Sequence, residues 1–298
     1  MSGGGCKAFF GLGAGSVILE AGLKVTSIAG TSAGSAMACA LLVGNHRDVL
    51  EYFKSITQRN PSNFHFKNLF LGTRPFPHER MYRRAVMTYV DPALIRKSKI
   101  RLAVNALQVP ESRAATKLAR ARVIVEIMAA YRKEMKLLKS GRYHAAMVRA
   151  ASELGLKEVV FHNEDFESTE RAGDIILASS SVPPMVRFQT MSGAYFVDGG
   201  ITRNLALDLL EPVDVAIGIY YDLWSRLQYE RISVDDPSGE IEMRDGRGRV
   251  RAKRVMFLSP DRRLPIDTWD YANPRGVTIA FDAGRRAGEH LLQALKKL

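Results

Sequence analysis

A serine with glycine two residues before and after it is the strongest chemical signal in the sequence. Ser32 stands at the centre of Gly30-Thr31-Ser32-Ala33-Gly34, between a short β-type run and an Ala- and Leu-rich segment of helical character. A strand, a tight turn and a helix are the context of a nucleophile elbow, in which the two glycines avoid collisions with neighbouring backbone. Such a turn presents the serine hydroxyl over the positive end of the helix. The same residues also fit a glycine-rich turn in which Ser32 only caps the helix.

Three consecutive glycines, Gly3, Gly4 and Gly5, lie before Cys6 and Lys7 near the start of the sequence. A helical pattern follows them. Successive backbone N–H groups in such a run face one concave surface, which can hold an oxyanion or a phosphate. The run is not a P-loop, because no Gly-Lys-Ser or Gly-Lys-Thr follows at the required spacing.

An acidic residue, Asp198, ends a short strand-like run and is followed by Gly199 and Gly200. The two glycines would let other backbone segments approach the carboxylate. An aspartate in an ordinary turn is the alternative. If Asp198 instead lies beside Ser32, it could take the hydroxyl proton, provided that an apolar site raises its pKa.

Together and in this order, the three motifs resemble those of the patatin-like phospholipase family. Residues 175–186 are similar to the segment that precedes the Asp-Gly-Gly of the family. The resemblance implies an α/β fold, namely a three-layer α/β/α sandwich with a mostly parallel central sheet and, here, a helical insertion. It also implies that the hydrophobic first strand of the family is absent or replaced by another segment, since only Met1 and Ser2 precede Gly3.

For function, the resemblance implies a lipid acyl hydrolase of the phospholipase A or lysophospholipase type, which cleaves carboxylic esters through an acyl-enzyme. Ser32 and Asp198 would form its catalytic dyad, with no metal and no cofactor. The implied supporting residues are those of the elbow, the acid loop and the oxyanion hole: Gly30, Gly34, Gly199, Gly200, Gly3, Gly4, Gly5, Cys6 and Lys7. An esterase or an acyltransferase on the same scaffold is the alternative among enzymes.

A catalytic triad would need a histidine as the base, and in the α/β-hydrolase order it would follow the acid. Only His290 comes after Asp198, and it falls in a predicted helix rather than a loop. The remaining histidines have no catalytic context in the sequence: His46, His65, His78, His144 and His162. We therefore expect every histidine to serve packing or solubility.

The composition is typical of one globular domain over residues 1–298, with 46% apolar and 25% charged residues. No apolar run is long enough to span a membrane, and no basic-then-apolar leader begins the sequence. Cys6 and Cys39 lack the spacing of metal or redox sites. We expect two reduced cysteines in a cytoplasmic protein.

Positive charge is concentrated in one region. The formal net charge is +12, and from Arg96 to Lys157 there are 15 Lys and Arg residues against 4 Asp and Glu. Residues 111–157 within this region are predicted to form a basic helical insertion, either a packed hairpin with a solvated face or a cap that lies on an anionic membrane. The expected partners are a phospholipid or other lipid ester and, peripherally, an anionic membrane. A non-catalytic protein that binds anionic membranes or, less favoured, nucleic acid through residues 96–157 is the alternative from another class.

Hydrophobic periodicity places these motifs on alternating strands and helices. It predicts helices over 9–21, 33–43, 47–57, 113–139, 143–154 and 277–298, and strands over 25–29, 99–109, 158–162 and 213–220. The 113–139 helix carries an apolar stripe of Leu118, Ile124, Ile127, Met128, Tyr131, Met135 and Leu138. Turn residues predict hairpins at 192–193, 237–239 and 245–246.

Overall fold

The computed structural model describes residues 1–71, 75–231 and 241–296. Its α-helices are α1 (Phe9–Glu20), α2 (Ala33–Val43), α3 (His46–Gln58), α4 (Lys67–Phe70), α5 (His78–Tyr89), α6 (Pro92–Lys97), α7 (Glu111–Ala114), α8 (Lys117–Leu138), α9 (Ala146–Glu153), α10 (Thr169–Ser179), α11 (Leu223–Leu227) and α12 (Pro274–Leu295). Its β-strands are β1 (Ser27–Thr31), β2 (Arg101–Val109), β3 (Lys157–Phe161), β4 (Gln189–Met191), β5 (Ala194–Asp198), β6 (Val213–Ile219), β7 (Tyr229–Arg231), β8 (Ile241–Met243), β9 (Arg249–Val250) and β10 (Ala252–Leu258). The predicted α/β class is confirmed.

Strand β2 organises the main sheet because it pairs with three other strands. β1 runs parallel to residues 101–105 of β2, and β5 runs antiparallel to residues 106–109. β3 pairs with residues 104–108, so it overlaps both partners and lies on the opposite edge of β2. β1 and β5 therefore meet end to end along one edge. The carboxyl ends of both strands lie at this junction.

Two residues connect the main sheet to the parallel pair of β6 and β10. The Met1 amine donates a hydrogen bond to the Ala29 carbonyl oxygen at 2.6 Å. Thr31 N–H donates to the Met1 carbonyl oxygen at 3.2 Å, and Ser2 N–H donates to the Ile219 carbonyl oxygen at 2.9 Å. Met1 and Ser2 thus lie between β1 and β6. The family resemblance implies a longer first strand at this place.

Both faces of β2 are apolar, as expected for a strand between two helical layers. Leu102, Val104 and Ala106 belong to a core that also contains side chains of α1, α2, α3, α5, α10 and α12. On the other face, Leu107 and Val109 pack with side chains of α7 and α8. The helical insertion is therefore packed against the sheet as the second layer.

The predicted elements agree with the structure in type, with shifts at their ends. β1 begins at Ser27, two residues later than predicted, and α9 begins at Ala146 after a left-handed residue, Ala145. The 192–193 hairpin joins β4 to β5, and the 245–246 turn lies between β8 and β9. The predicted turn at 237–239 lies outside the described residues. No helix in the described ranges is long and apolar enough to cross a membrane.

Candidate active site

The elbow at Ser32 has the strained backbone that a strand-to-helix turn demands. Ser32 follows β1 directly and precedes α2, with φ at 54° and ψ at −132°. A Cβ atom on Gly30 would lie 2.6 Å from the Gly34 carbonyl oxygen, and one on Gly34 would lie 2.5 Å from the Ser2 carbonyl oxygen. Real side chains do not approach backbone so closely. Glycine at both places is therefore required by packing as well as by the turn.

Asp198 lies beside Ser32 because β1 and β5 meet end to end. The side chain of Ser32 is close enough to the Asp198 carboxyl to stabilise its charged form. Asp198 Oδ1 also accepts a hydrogen bond of 2.6 Å from Gly200 N–H. The backbone of Asp198 is fixed as well, since its N–H donates to the Ser181 carbonyl oxygen at 2.9 Å. The two residues that the sequence motifs singled out are thus brought together.

Burial changes the acidity of Asp198. Only 4% of the residue is exposed. Desolvation of the charged form raises the pKa of Asp198 to about 7, although the Ser32 side chain and the hydrogen bond from Gly200 N–H act in the opposite direction. A carboxylate with this pKa is a far better proton acceptor near neutral pH than an exposed aspartate.

Asn105 holds the junction together from β2, and sequence reasoning missed it. Thr31 Oγ1 donates a hydrogen bond of 2.6 Å to Asn105 Oδ1. Asn105 Nδ2 donates one of 3.2 Å to the Gly199 carbonyl oxygen. One fully buried amide therefore connects the residue before Ser32 to the residue after Asp198. The available signal was an amide within the apolar run of residues 102–107, because a buried polar side chain needs partners.

The glycine loop faces the same site, but fewer of its N–H groups are available than the sequence suggested. Gly3 N–H donates to the Asn204 carbonyl oxygen and Cys6 N–H donates to the Thr268 carbonyl oxygen, each at 3.0 Å. Lys7 N–H donates to the Gly4 carbonyl oxygen at 3.2 Å. Within the described residues, only the N–H groups of Gly4 and Gly5 in this loop have no such partner.

A cleft of about 1200 Å³ contains the Ser32 hydroxyl, the Asp198 carboxyl and the glycine loop. We call these three parts the reacting end of the cleft. One side, the α8 wall, consists of the inner face of α8 with Val123, Ile127, Met128, Tyr131, Met135 and Leu138. Phe64, Phe76 and Trp224 contribute further apolar surface. The cleft can therefore hold a long hydrocarbon chain whose reactive end lies at Ser32.

The outer face of α8 is basic. Arg132, Lys133 and Lys136 are exposed on it, and Lys139, which follows the helix and borders the cleft, is exposed as well. Leu118, which we assigned to the inner stripe, is 81% exposed instead. The error has a simple cause: six residues separate Leu118 from Ile124, and at about 100° per residue this places Leu118 roughly 120° away from the inner face.

The histidines lie elsewhere. His290 is exposed on α12, and His78 is buried with its Nε2 atom hydrogen-bonded to the Trp269 carbonyl oxygen at 2.8 Å. No histidine is among the described residues that line the cleft. Nor is any cluster of three His, Cys, Asp or Glu residues in the described ranges arranged to hold a metal ion.

Comparison with known proteins adds one finding. A family model described as patatin-like phospholipase matches residues 1–211, which include the glycine loop, Ser32 and Asp198. Among curated proteins, none matches the chain.

Proposed function

This chain belongs to the patatin-like phospholipase family, and we propose that it is a lipid acyl hydrolase of the phospholipase A or lysophospholipase type with a Ser32–Asp198 dyad. One observation carries the proposal. A buried carboxyl group with a raised pKa lies beside the side chain of a serine on a strained elbow, at the end of an apolar cleft. This arrangement suits acyl transfer from a lipid ester.

Acylation begins when Asp198 takes the hydroxyl proton of Ser32 and Oγ bonds to the carbonyl carbon of the ester. The N–H groups of Gly4 and Gly5 would donate to the oxyanion of the tetrahedral intermediate. Asp198 then returns the proton to the departing alcohol oxygen. The products of this half-reaction are a free alcohol and a Ser32 ester.

Deacylation repeats the sequence with water. Asp198 takes a proton from a water molecule, whose oxygen bonds to the acyl carbon. The bond between Ser32 Oγ and that carbon breaks, and Oγ recovers the proton from Asp198. The fatty acid leaves, and both residues return to their starting state. A dyad of this kind needs no histidine, in keeping with the residues that line the cleft.

We further propose that the enzyme works as a single domain at the surface of an anionic membrane. Three exposed cations, Arg132, Lys133 and Lys136, lie on the outer face of α8, while the inner face lines the cleft and exposed Lys139, directly after the helix, borders it. Phe66, Phe70 and Leu71 are exposed on and beside α4, and Phe64 of the same loop lines the cleft. Attraction to anionic lipid contributes about 1 kcal/mol per engaged Lys or Arg. Cations and apolar side chains near the cleft would bring a cytoplasmic enzyme to its substrate.

Hydrolysis of a lipid panel tests the proposal. We expect release of fatty acid from phospholipid or lysophospholipid vesicles, and a loss of roughly 10³-fold or more in rate in the Ser32→Ala variant. The matched control is Ser112→Ala, which removes the hydroxyl of an exposed serine outside the cleft lining. Undiminished hydrolysis by Ser32→Ala would exclude Ser32 as the nucleophile. Activity on small soluble esters alone would favour the esterase alternative.

A further inference from the structure

Two hydroxyl groups lie together in the cleft beside its reacting end, and neither half-reaction of the proposed mechanism uses them. Tyr82 of α5 and Ser180, which directly follows α10, are each 6% exposed. Both residues line the cleft. Their hydroxyl oxygens are 3.0 Å apart, so one hydroxyl donates a hydrogen bond to the other. We call these two groups the hydroxyl pair.

The backbone holds Ser180 between the nucleophile and the base. On one side of it in the chain, Ser179 Oγ accepts a hydrogen bond of 2.9 Å from Ser32 N–H. On the other side, the Ser181 carbonyl oxygen accepts one of 2.9 Å from Asp198 N–H. The residues before and after Ser180 are thus each bonded to one member of the dyad. The position of the hydroxyl pair relative to the dyad is therefore fixed.

Tyr82 remains protonated beside the Asp198 carboxyl. Burial raises the pKa of Tyr82 well above its ordinary value, and the charge of Asp198 adds to this rise, although the hydrogen bond with Ser180 opposes it. A phenol in this state keeps its proton at any pH at which the enzyme would work. The hydroxyl pair therefore has two hydroxyl protons.

Only one of these two protons is used within the pair. Whichever hydroxyl donates in the shared bond, the O–H of the other has no partner among the described residues. A buried polar group that lacks a partner is costly, and such groups are usually completed by ordered water or by a ligand. We therefore expect an oxygen atom to accept this hydrogen bond inside the cleft.

The chemistry of deacylation indicates which oxygen this is. Three oxygens surround the acyl carbon: the oxyanion, Ser32 Oγ and the incoming water. The N–H groups of Gly4 and Gly5 would hold the oxyanion, and Oγ is held by its covalent bond. The water has only noncovalent partners, and a buried water usually makes about three hydrogen bonds. Asp198 supplies one of them, and the apolar α8 wall offers few others.

We propose that the hydroxyl pair binds the hydrolytic water next to Asp198 and so commits the acyl-enzyme to hydrolysis. The unpaired O–H of the pair donates to the water oxygen, and the water donates to Asp198. A lone pair of the water oxygen bonds to the acyl carbon while Asp198 takes the proton. The bond from that carbon to Ser32 Oγ then breaks, and Oγ recovers the proton. This inference rests on the proposed function, because it concerns the second half-reaction at the same site.

Loss of the hydroxyl pair should slow deacylation much more than acylation. In acylation, the alcohol oxygen that leaves the acyl carbon is part of the substrate, so the covalent structure of the ester already positions it. In deacylation, the water that takes its place must be oriented by the protein alone. A change in the ratio of the two rates therefore distinguishes the binding of water from a general structural role.

Single-turnover kinetics test the inference, with the full chain in excess over p-nitrophenyl butyrate. Nitrophenolate release measures acylation, and the intact mass of quenched samples measures loss of the butyryl group. The variants Tyr82→Phe and Ser180→Ala each remove one hydroxyl. We expect deacylation to be slower by about tenfold or more, as for the loss of one hydrogen bond. Acylation should stay within about threefold of the wild-type rate.

Tyr52→Phe is the matched control. It removes a phenolic hydroxyl of α3 that has no hydrogen-bond partner among the described residues and lies outside the cleft lining. Both rates should be unchanged in this variant. The inference is overturned if deacylation in either hydroxyl-pair variant is as fast as in the wild type, or if both steps slow by the same factor. Failure of the proposed function gives a different result, because the wild type would then gain no butyryl group on Ser32, and both proposals would be wrong.

Discussion

The reacting end of the cleft and the α8 wall are built on different principles. At the reacting end, each group has a specific partner: Ser179 Oγ accepts a 2.9 Å hydrogen bond from Ser32 N–H, and Gly200 N–H donates to Asp198. The α8 wall is a row of apolar side chains on one helix. Each of them can change its conformation without breaking a hydrogen bond. Single substitutions should therefore cost orders of magnitude at the reacting end, while the wall should respond only to combined changes.

The largest effect at the reacting end, together with that of Ser32→Ala, is expected for Asp198→Asn. An amide cannot accept the hydroxyl proton, so kcat/KM should fall roughly 10³-fold or more, as measured with a lipid ester. Asp48→Asn, at an exposed position of α3, is the matched control, and it should leave the rate unchanged. His290→Ala should stay within a few-fold of the wild type. Loss of activity in His290→Ala together with retention in Asp198→Asn would contradict the dyad.

A smaller effect is expected from Asn105→Ala, because Asn105 positions the dyad without touching substrate. Loss of its bonds to Thr31 and Gly199 lets the two strand ends separate, and small displacements can cost up to about 10²-fold. We expect kcat to fall roughly 10- to 100-fold while KM changes little. Gln108→Ala, at a half-buried polar position of the same strand, is the control. Equal losses in both variants would indicate general damage to β2.

The pH dependence should follow Asp198, whose pKa is raised to about 7. The base must be ionised, so kcat/KM should fall about tenfold for each pH unit below 7 and level off above it. The free energy of unfolding should depend on pH in the opposite sense and decrease as the pH rises. Burial favours the protonated carboxyl, so this stabilisation is complete below the unfolded pKa near 3.8 and is lost as pH rises through about 7.

Asp198→Asn replaces the carboxyl by an amide, which does not ionise. The variant should therefore not lose stability as the pH rises. The Tm of Asp198→Asn, relative to the wild type, should therefore be higher at pH 8 than at pH 4. Scanning calorimetry at both values measures the difference. A constant difference would mean that the carboxyl does not change its ionisation on folding.

The basic residues on the other side of the helix from the α8 wall should show the smallest effect on chemistry and the clearest effect on binding. Conversion of Arg132, Lys133, Lys136 and Lys139 to Gln should weaken sedimentation with anionic vesicles and spare hydrolysis of a small soluble ester. Binding by the wild type should weaken at high salt, since the charges are screened within about 8 Å at physiological ionic strength. Four exposed cations on other elements, changed to Gln together, form the control: Lys24, Arg59, Arg286 and Lys296. Equal vesicle binding by both quadruple variants would mean that the cations of α8 do not bind the membrane and only face solvent.

A contrast between local and long-range features explains which parts of the molecule could be predicted from the sequence. Local rules act within a few residues, so the elbow at Ser32 and helix α2 could be predicted from Gly30, Gly34 and the strand-like and Ala- and Leu-rich runs on either side of them. The stripe on α8 followed from periodicity, except at Leu118, whose spacing of six residues from Ile124 does not fit one face of a helix. Both successes use information contained in one segment.

Features that depend on strand pairing could not be predicted in this way. The end-to-end meeting of β1 and β5 follows from the register of β2, which brings residues 105 and 199 together. The Cys6 N–H is unavailable because Thr268, far along the chain, accepts its hydrogen bond. Neither partner has a local sequence signal.

Reaction with a fluorophosphonate tests the central claim most directly, because the probe bonds only to an activated nucleophile and needs no lipid. The account predicts one label per chain, located on Ser32 by peptide mass spectrometry, and a labelling rate that falls roughly 10³-fold in Asp198→Asn. A label on another residue, or equal labelling rates in the wild type and Asp198→Asn, would contradict it.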